Sequence, residues 1–350
     1  MKSNNYQYEL DILRIIGAIS IVLFHYTFRG YAADDMSKLF FPVIGEIFKY
    51  GYLGIYIFFI LSGYTIILSA QKKNFFDFVY ARIFRLYPSF WIAVCVTTLA
   101  TLFFQSSRYH VEPKQFLINL TMLSGYVGVK SVDGAYWFMF VILKFYFLIS
   151  LLLLFKLIRF QKYIAGIWLF SSLILMSIDI PKIGFFLIPE YAPFLISGMI
   201  FYSAKREGWD TYKYFIMFTS FISSQYIVHS GILRFNQHYS TELSVYLVFI
   251  VILTIYLYMY ASTITNKHIV LSKAVVTLSV STYPLYLIHQ NFGFMVFNNY
   301  GPYGNKYIVL LATFIFMVFL SVIIVKFIEP NLYKIMAQII PYRKAQKSLH

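Results

Sequence analysis

The chain consists of long apolar runs separated by short polar stretches. A helix needs about 20 mostly apolar residues to cross the hydrocarbon core of a membrane. The pattern therefore predicts an all-α, polytopic membrane protein with about ten transmembrane helices. The predicted spans are residues 10–28, 50–70, 89–105, 135–155, 163–180, 185–203, 213–231, 243–263, 275–297 and 307–328.

Two polar stretches between the spans predict further elements. Residues 106–134 contain Pro113 and several glycines, and they predict a folded external loop or a re-entrant segment. Residues 71–88 mix basic and aromatic side chains. This mixture predicts a cytoplasmic interfacial helix that ends where Pro88 begins the third span.

The end of the chain is more polar and basic. Glu329 and Pro330 are predicted to end the tenth span. We predict a single transmembrane domain over residues 1–335, followed by a basic cytoplasmic tail over residues 336–350.

Composition and charge agree with a membrane location. Hydrophobic residues make up 60% of the chain and charged residues 12%, against about 25% charged in soluble domains. With the N-terminus in the cytoplasm, basic residues favour the cytoplasmic segments by about two to one. We therefore predict a multi-pass protein of the plasma membrane with both termini in the cytoplasm. The net charge of +15 then largely reflects topology, so no nucleic-acid partner is expected.

Cysteine content excludes two kinds of site. The chain has one cysteine, Cys95, which rules out an intramolecular disulfide and a cysteine-type metal cluster. We predict no metal site. The first apolar run is too long for the hydrophobic part of a secretory signal, so no cleavable signal peptide is expected.

The first predicted span contains two polar residues, Arg14 and His25. Their spacing of eleven positions places them on nearly the same helix face, about 16 Å apart along the axis. Charges facing lipid are costly, so both should point into the bundle or a wet cavity. Alternatively, each can extend to its nearer membrane surface. A neutral histidine can take a proton from an alcohol, and Arg14 can hold an anion.

Six blocks of sequence occur in a characteristic order. They are "LRIIGAISIVLFH", "GYLGIYIFFILSGYTI", "ARIFRLYPSFW", "YWFMFVILKFYFL", "STYPLYLIHQ" and "FIEP". Arg14 and His25 form an R-x10-H pattern in the first block. Together the blocks resemble those of the acyltransferase 3 family, bacterial integral membrane enzymes that modify cell-surface carbohydrates.

This resemblance implies a membrane O-acyltransferase, with acetyl as the family-level expectation and succinyl as a competitor. The enzyme would move an acyl group from cytoplasmic acyl-CoA to a hydroxyl of a cell-surface or lipid-linked carbohydrate. His25 would act as general base, and Arg14, the second predicted catalytic residue, would hold donor phosphates or the pantetheine arm. Acyl-CoA would be a co-substrate rather than a permanently bound cofactor. Membrane lipids and polysaccharide-synthesis machinery are further candidate partners. Direct transfer and an acyl-histidine intermediate both stay open.

Three basic residues are candidates for donor binding. Arg82 and Arg85 lie one helical turn apart and can clamp phosphates, which coenzyme A carries. Basic side chains at this position also bind phospholipid head groups. Lys144 lies inside the fourth span, where it either binds an anionic group of donor or acceptor or neutralises a buried acid.

Four residues are candidates for acceptor binding. His289 and Tyr286 belong to the fifth block, and Trp137 belongs to the fourth. Ser62 can donate a hydrogen bond to the acceptor. The alternatives are structural: a membrane histidine often satisfies a backbone carbonyl, and small residues such as Ser62 and Gly63 let helices approach closely.

Two departures from the family pattern indicate a divergent branch. Ile142 and Leu143 stand where family members often have an acidic pair, and Tyr56 replaces a frequent aspartate. A transporter or flippase for a sugar or lipid-linked substrate is the alternative function, although the chain shows no pair of matching halves. A third possible function is that of a non-catalytic scaffold or sensor.

Overall fold

A computed structural model describes residues 8–105, 108–178, 180–265 and 272–339. Within these ranges every regular element is a helix and no strand occurs, which confirms the predicted all-α class. In chain order the α-helices are α1 (Tyr8–Phe24), α2 (Gly30–Ala32), α3 (Pro42–Phe48), α4 (Gly54–Ala70), α5 (Phe75–Phe104), α6 (Pro113–Leu120), α7 (Trp137–Leu154), α8 (Gln161–Ser177), α9 (Pro181–Leu187), α10 (Ala192–Glu207), α11 (Thr211–Tyr239), α12 (Val245–Ile264), α13 (Lys273–Tyr300), α14 (Lys306–Ile323) and α15 (Glu329–Ile339).

Two π turns extend α-helices without a break. One, His25–Arg29, follows α1, and the other, Ile324–Ile328, joins α14 to α15. A π turn inserts an extra residue into a helix and is frequent at functional sites. Short 3₁₀ turns cover Lys49–Leu53, Ser124–Tyr126, Gly134–Tyr136, Ile158–Phe160 and Gly301–Tyr303.

Several helical stretches are long and apolar enough to cross a membrane, so the chain is a multi-pass membrane protein. The described residues contain eight such stretches: Tyr8–Ala32, Pro42–Ala70, Phe75–Phe104, Gly134–Leu154, Ile158–Ser177, Pro181–Glu207, Val245–Ile264 and Lys306–Ile339. The two other predicted spans lie in α11 and α13, which have 29 and 28 residues but are more polar. Ten spans and two cytoplasmic termini therefore stay predictions.

Two expectations about helix ends were wrong, and one predicted loop contains a helix. The segment before Pro88 is no separate helix, because α5 continues through this proline. Neighbouring helices can satisfy the backbone groups that an internal proline frees in a membrane. Glu329 and Pro330 do not end a helix, since the helical chain continues through them from the π turn Ile324–Ile328 into α15. The predicted loop over 106–134 contains α6.

The chain divides into two compact units. Unit 1 comprises residues 1–21, 49–75 and 141–271, and unit 2 comprises residues 22–48, 76–140 and 272–350, each within the described ranges. Part of the predicted basic tail, up to Ile339, lies in α15 of unit 2. Residues 340–350 of that tail lie outside the described residues.

Unit 1 is built around α10. Residues 192–204 of this helix are buried without interruption, and α10 packs against α4, α8, α11 and α12. The contact with α4 is backbone to backbone: a Cβ atom on Gly63 would overlap the carbonyl oxygen of Leu195, and one on Gly198 would overlap that of Ile60. The sequence correctly predicted close helix approach at Gly63.

Unit 2 shows the lipid-facing pattern of a membrane helix in α14. Ile308, Leu311, Ile315 and Phe319 are exposed along one face of this helix. On the other face the small polar side chains, such as Ser321, are buried. Because the apolar face points away from the protein, α14 is suited to contact with hydrocarbon rather than water.

Candidate active site

Two histidines of unit 2 are hydrogen-bonded to each other. His25 begins the first π turn and is 8% exposed, and His289 lies in α13 and is fully buried. Nδ1 of His25 lies 2.7 Å from Nε2 of His289, and the ring planes differ by only 12°. This distance is shorter than the roughly 3.5 Å that separates stacked atoms, so the rings meet edge to edge. The sequence predicted His25 and His289 as separate site residues, and the structure shows that they form a hydrogen-bonded pair.

Other groups hold His289 in place. Its Nδ1 lies 2.8 Å from the carbonyl oxygen of Tyr286 and 3.1 Å from that of Leu285. The hydroxyl of Tyr26 donates to the carbonyl oxygen of His289 over 2.8 Å. Only a glycine leaves room for this tyrosine, because a Cβ atom at Gly293 would overlap its ring. Tyr26, which follows His25 in the chain, therefore helps to fix the position of α13, the helix that carries His289.

A buried carboxylate ties the preceding loop to the same helix. Asp133 is fully buried and accepts hydrogen bonds from the backbone N–H groups of Ala135, over 2.8 Å, and Asn291, over 2.9 Å. The side-chain amide of Asn291 donates to the carbonyl oxygen of Val132. Neither Asp133 nor Asn291 was among the residues predicted from the sequence. The preference of aspartate for helix starts could have indicated the Ala135 bond, whereas nothing in the sequence pointed to Asn291.

Burial gives Asp133 an unusual proton affinity. Desolvation raises the pKa of its carboxyl from 3.8 to about 6, against the lowering effect of the two N–H donors and of Arg29. The folded protein therefore binds this proton more tightly than the unfolded chain does. Between about pH 4 and pH 6 the contribution of Asp133 to the free energy of unfolding falls as the pH rises, by about 3 kcal/mol at most.

We expect Asp133→Asn to remove this part of the pH dependence. Thermal unfolding in detergent at several pH values from 4 to 7 measures it: the midpoint of the wild type should fall more steeply toward pH 6 than that of the variant. The exposed Asp35 supplies a matched control substitution, Asp35→Asn. If the unfolding midpoints of the wild type and Asp133→Asn changed equally with pH, the raised pKa of Asp133 would be contradicted.

Unit 2 also contains three further predicted site residues. The Arg82 guanidinium lies 5.4 Å from the centre of the Phe78 ring, one turn earlier in α5. Arg85 is exposed and interacts electrostatically with Glu329. Trp137 begins α7 and is 40% exposed.

The remaining predicted residues lie in unit 1. Arg14 donates to the fully buried carboxylate of Asp11 over 2.7 Å, an ion pair within α1. Ser62 is half-buried in α4. The Lys144 ammonium lies 3.6 Å from the centre of the Phe185 ring, a cation–π contact that our sequence analysis did not consider. Within the described ranges no group of three or more His, Cys, Asp or Glu side chains is placed to hold a metal ion.

The chain was compared with models of known protein families. The model of one family, Acyl_transf_3, described as an acyltransferase domain, matches residues 7–326. The chain belongs to this acyltransferase family. Five of the six blocks lie inside the matched range, and "FIEP" follows directly after it. No curated protein and no solved structure matched the chain.

Membership of the acyltransferase family indicates that the protein transfers acyl groups. An acyltransferase that acylates a hydroxyl needs a group that removes the hydroxyl proton as the new bond forms. Histidine is the side chain best suited to this near neutral pH. Among the predicted catalytic residues, His25 has the chemistry of a base, whereas Arg14 can only donate hydrogen bonds.

Proposed function

We propose that this protein is an O-acyltransferase that moves an acyl group, most directly acetyl, from cytoplasmic acyl-CoA to a hydroxyl of a cell-surface or lipid-linked carbohydrate. One observation carries the proposal: a member of an acyltransferase family holds a nearly buried histidine, His25, in a specific hydrogen bond inside its helical bundle. Burial and the hydrogen bond to His289 support this role, because they keep the His25 ring away from lipid, and a neutral imidazole can take a proton from a hydroxyl.

The proposed reaction is a direct transfer. His25 takes the proton of the acceptor hydroxyl while the oxygen attacks the thioester carbonyl carbon. The new C–O bond forms, the C–S bond breaks, and coenzyme A leaves as a thiolate that receives the proton from His25. The products are the ester and free coenzyme A, so atoms and charge balance. An acyl-histidine route would reach the same products in two steps.

We assign donor binding to the basic side chains. Arg82 and Arg85 would hold the phosphates of coenzyme A. Arg14 and Lys144 stay predictions from the sequence as contacts for anionic groups or the pantetheine arm. Trp137, Tyr286 and Ser62 are the proposed acceptor contacts. The partial exposure of Trp137 supports its assignment, because an acceptor can reach it.

Loss of either arginine in α5 should weaken donor binding. We expect Arg82→Gln and Arg85→Gln each to raise the KM for acyl-CoA about tenfold, the value of one charge-assisted hydrogen bond. Lys72, which is exposed shortly before α5, provides the control: Lys72→Gln should leave KM unchanged. Steady-state kinetics over a range of acyl-CoA concentrations measures this. An equal rise in all three variants would show a general effect of surface charge instead.

Labelled donor distinguishes this proposal from a carrier. Purified protein in lipid vesicles is given acetyl-CoA labelled in the acetyl group, together with extracted surface glycans. The proposal predicts label on the glycan. Movement of a sugar across the membrane without transfer of label would support the transporter and contradict the enzyme.

A further inference from the structure

The hydrogen bonds of His289 determine which of its nitrogens carries hydrogen. Nδ1 faces the carbonyl oxygens of Tyr286 and Leu285. Carbonyl oxygens can only accept, so Nδ1 of His289 must be the donor. In a neutral imidazole the other nitrogen then has a lone pair. Nε2 of His289 is therefore an acceptor.

The acceptor on His289 determines the tautomer of His25 as well. Its Nδ1 lies 2.7 Å from the acceptor Nε2 of His289, so this Nδ1 carries the hydrogen and donates it. The lone pair of neutral His25 then lies on Nε2. In isolation a histidine exchanges freely between its two neutral forms, and only one of them presents a base at a given atom.

We propose that His289 is a positioning residue that fixes the tautomer and ring orientation of His25, so that Nε2 of His25 is the base. This inference rests on the proposed function of His25 and adds the identity of the basic atom. His289 would thus act by orienting His25, whereas the sequence had predicted that it contacts the acceptor directly. The arrangement follows the logic of a catalytic triad, in which a third group holds a histidine in its productive form.

The pair can also spread the charge that forms during the reaction. When Nε2 of His25 takes the acceptor proton, the ring becomes a cation whose Nδ1–H points at Nε2 of His289. If that proton moves across, His25 is neutral again and the charge lies on His289, whose Nδ1–H faces two carbonyl oxygens. When this proton returns to Nδ1 of His25, and the separate proton on Nε2 of His25 passes to the leaving thiolate, both rings are neutral again.

Two substitutions separate the positioning role from a packing role. His289→Leu fills space but accepts no hydrogen bond, and we expect it to lower kcat by roughly 10²–10⁴-fold with little change in the KM for acyl-CoA. His289→Gln offers an amide oxygen in the region of Nε2 and should recover most of the lost kcat. Equal losses of kcat in the two variants would overturn the inference.

A spectroscopic measurement tests the tautomer in the unaltered enzyme. The chain has seven histidines, and ¹⁵N labelling of their rings distinguishes protonated from unprotonated nitrogens. The His25 signals are those missing from the spectrum of His25→Asn. We expect hydrogen on Nδ1 and a lone pair on Nε2 at neutral pH. Hydrogen on Nε2 instead would overturn the inference.

The activities of the His25 and His289 variants distinguish the proposed function of His25 from the positioning role of His289. If His25→Asn keeps wild-type acylation, His25 is not the base and the proposed function of this residue fails. If His25→Asn is inactive but His289→Leu keeps the wild-type kcat, only the positioning role fails. In the His25→Asn background, His289→Leu should cause no further loss of activity, because His289 acts through His25.

Discussion

Replacement of His25 by asparagine is expected to reduce acyl transfer by roughly 10²–10⁴-fold while the protein folds normally. The asparagine amide can still donate a hydrogen bond toward Nε2 of His289, so the local contact survives. The basic nitrogen, however, is gone. His25→Ala should be equally inactive, because it too lacks the base. Transfer of labelled acetyl to extracted glycans measures the rate.

A second histidine supplies the matched control. His229 is an exposed residue of α11 in unit 1, and His229→Asn should keep wild-type activity. Thermal unfolding and size-exclusion chromatography in detergent check that all three variants fold. Near-wild-type transfer by His25→Asn, with normal folding, would reject His25 as the base.

Substitution of Gly63 by alanine is expected to destabilise the fold strongly. The added Cβ atom would overlap the carbonyl oxygen of Leu195 in α10, and backbone cannot move aside as a flexible side chain can. Helices α4 and α10 would have to separate along their contact, which costs about 3 kcal/mol or more. Gly198→Ala should act similarly, because its Cβ would overlap the carbonyl oxygen of Ile60. The melting temperature in detergent measures both effects.

The control for this prediction is another helical glycine. Gly231 lies inside α11, and a Cβ atom there would meet nothing within 4 Å. Gly231→Ala should therefore be neutral or stabilise by up to about 1 kcal/mol, because alanine favours helices. A Gly63→Ala variant as stable as Gly231→Ala would contradict the close approach of α4 and α10.

The sequence predicted helices well but not their ends. Apolar runs of about 20 residues identified the membrane helices because the bilayer imposes both their length and their composition. The continuity of α5 through Pro88, and of α14 into α15, was missed. In soluble proteins an internal proline usually ends a helix, whereas in a membrane bundle tertiary packing can override it.

The site was only partly predictable, because its contacts join distant parts of the chain. His25 and His289 are 264 positions apart, and no spacing rule connects them; the family blocks named both residues without pairing them. Asn291 and Asp133 are likewise distant in sequence. By contrast, Asp11 lies three positions before Arg14, and the helical spacing alone could have indicated that ion pair.

The central claim is that the protein adds acyl groups to surface carbohydrate. Mass spectrometry of surface glycans tests it most directly, on cells that carry the wild-type gene, the His25→Asn variant or no gene. The account predicts sugar residues with the added mass of an acyl group in the wild type, and the same residues unmodified in the other two strains. Identical glycans in all three strains would contradict it.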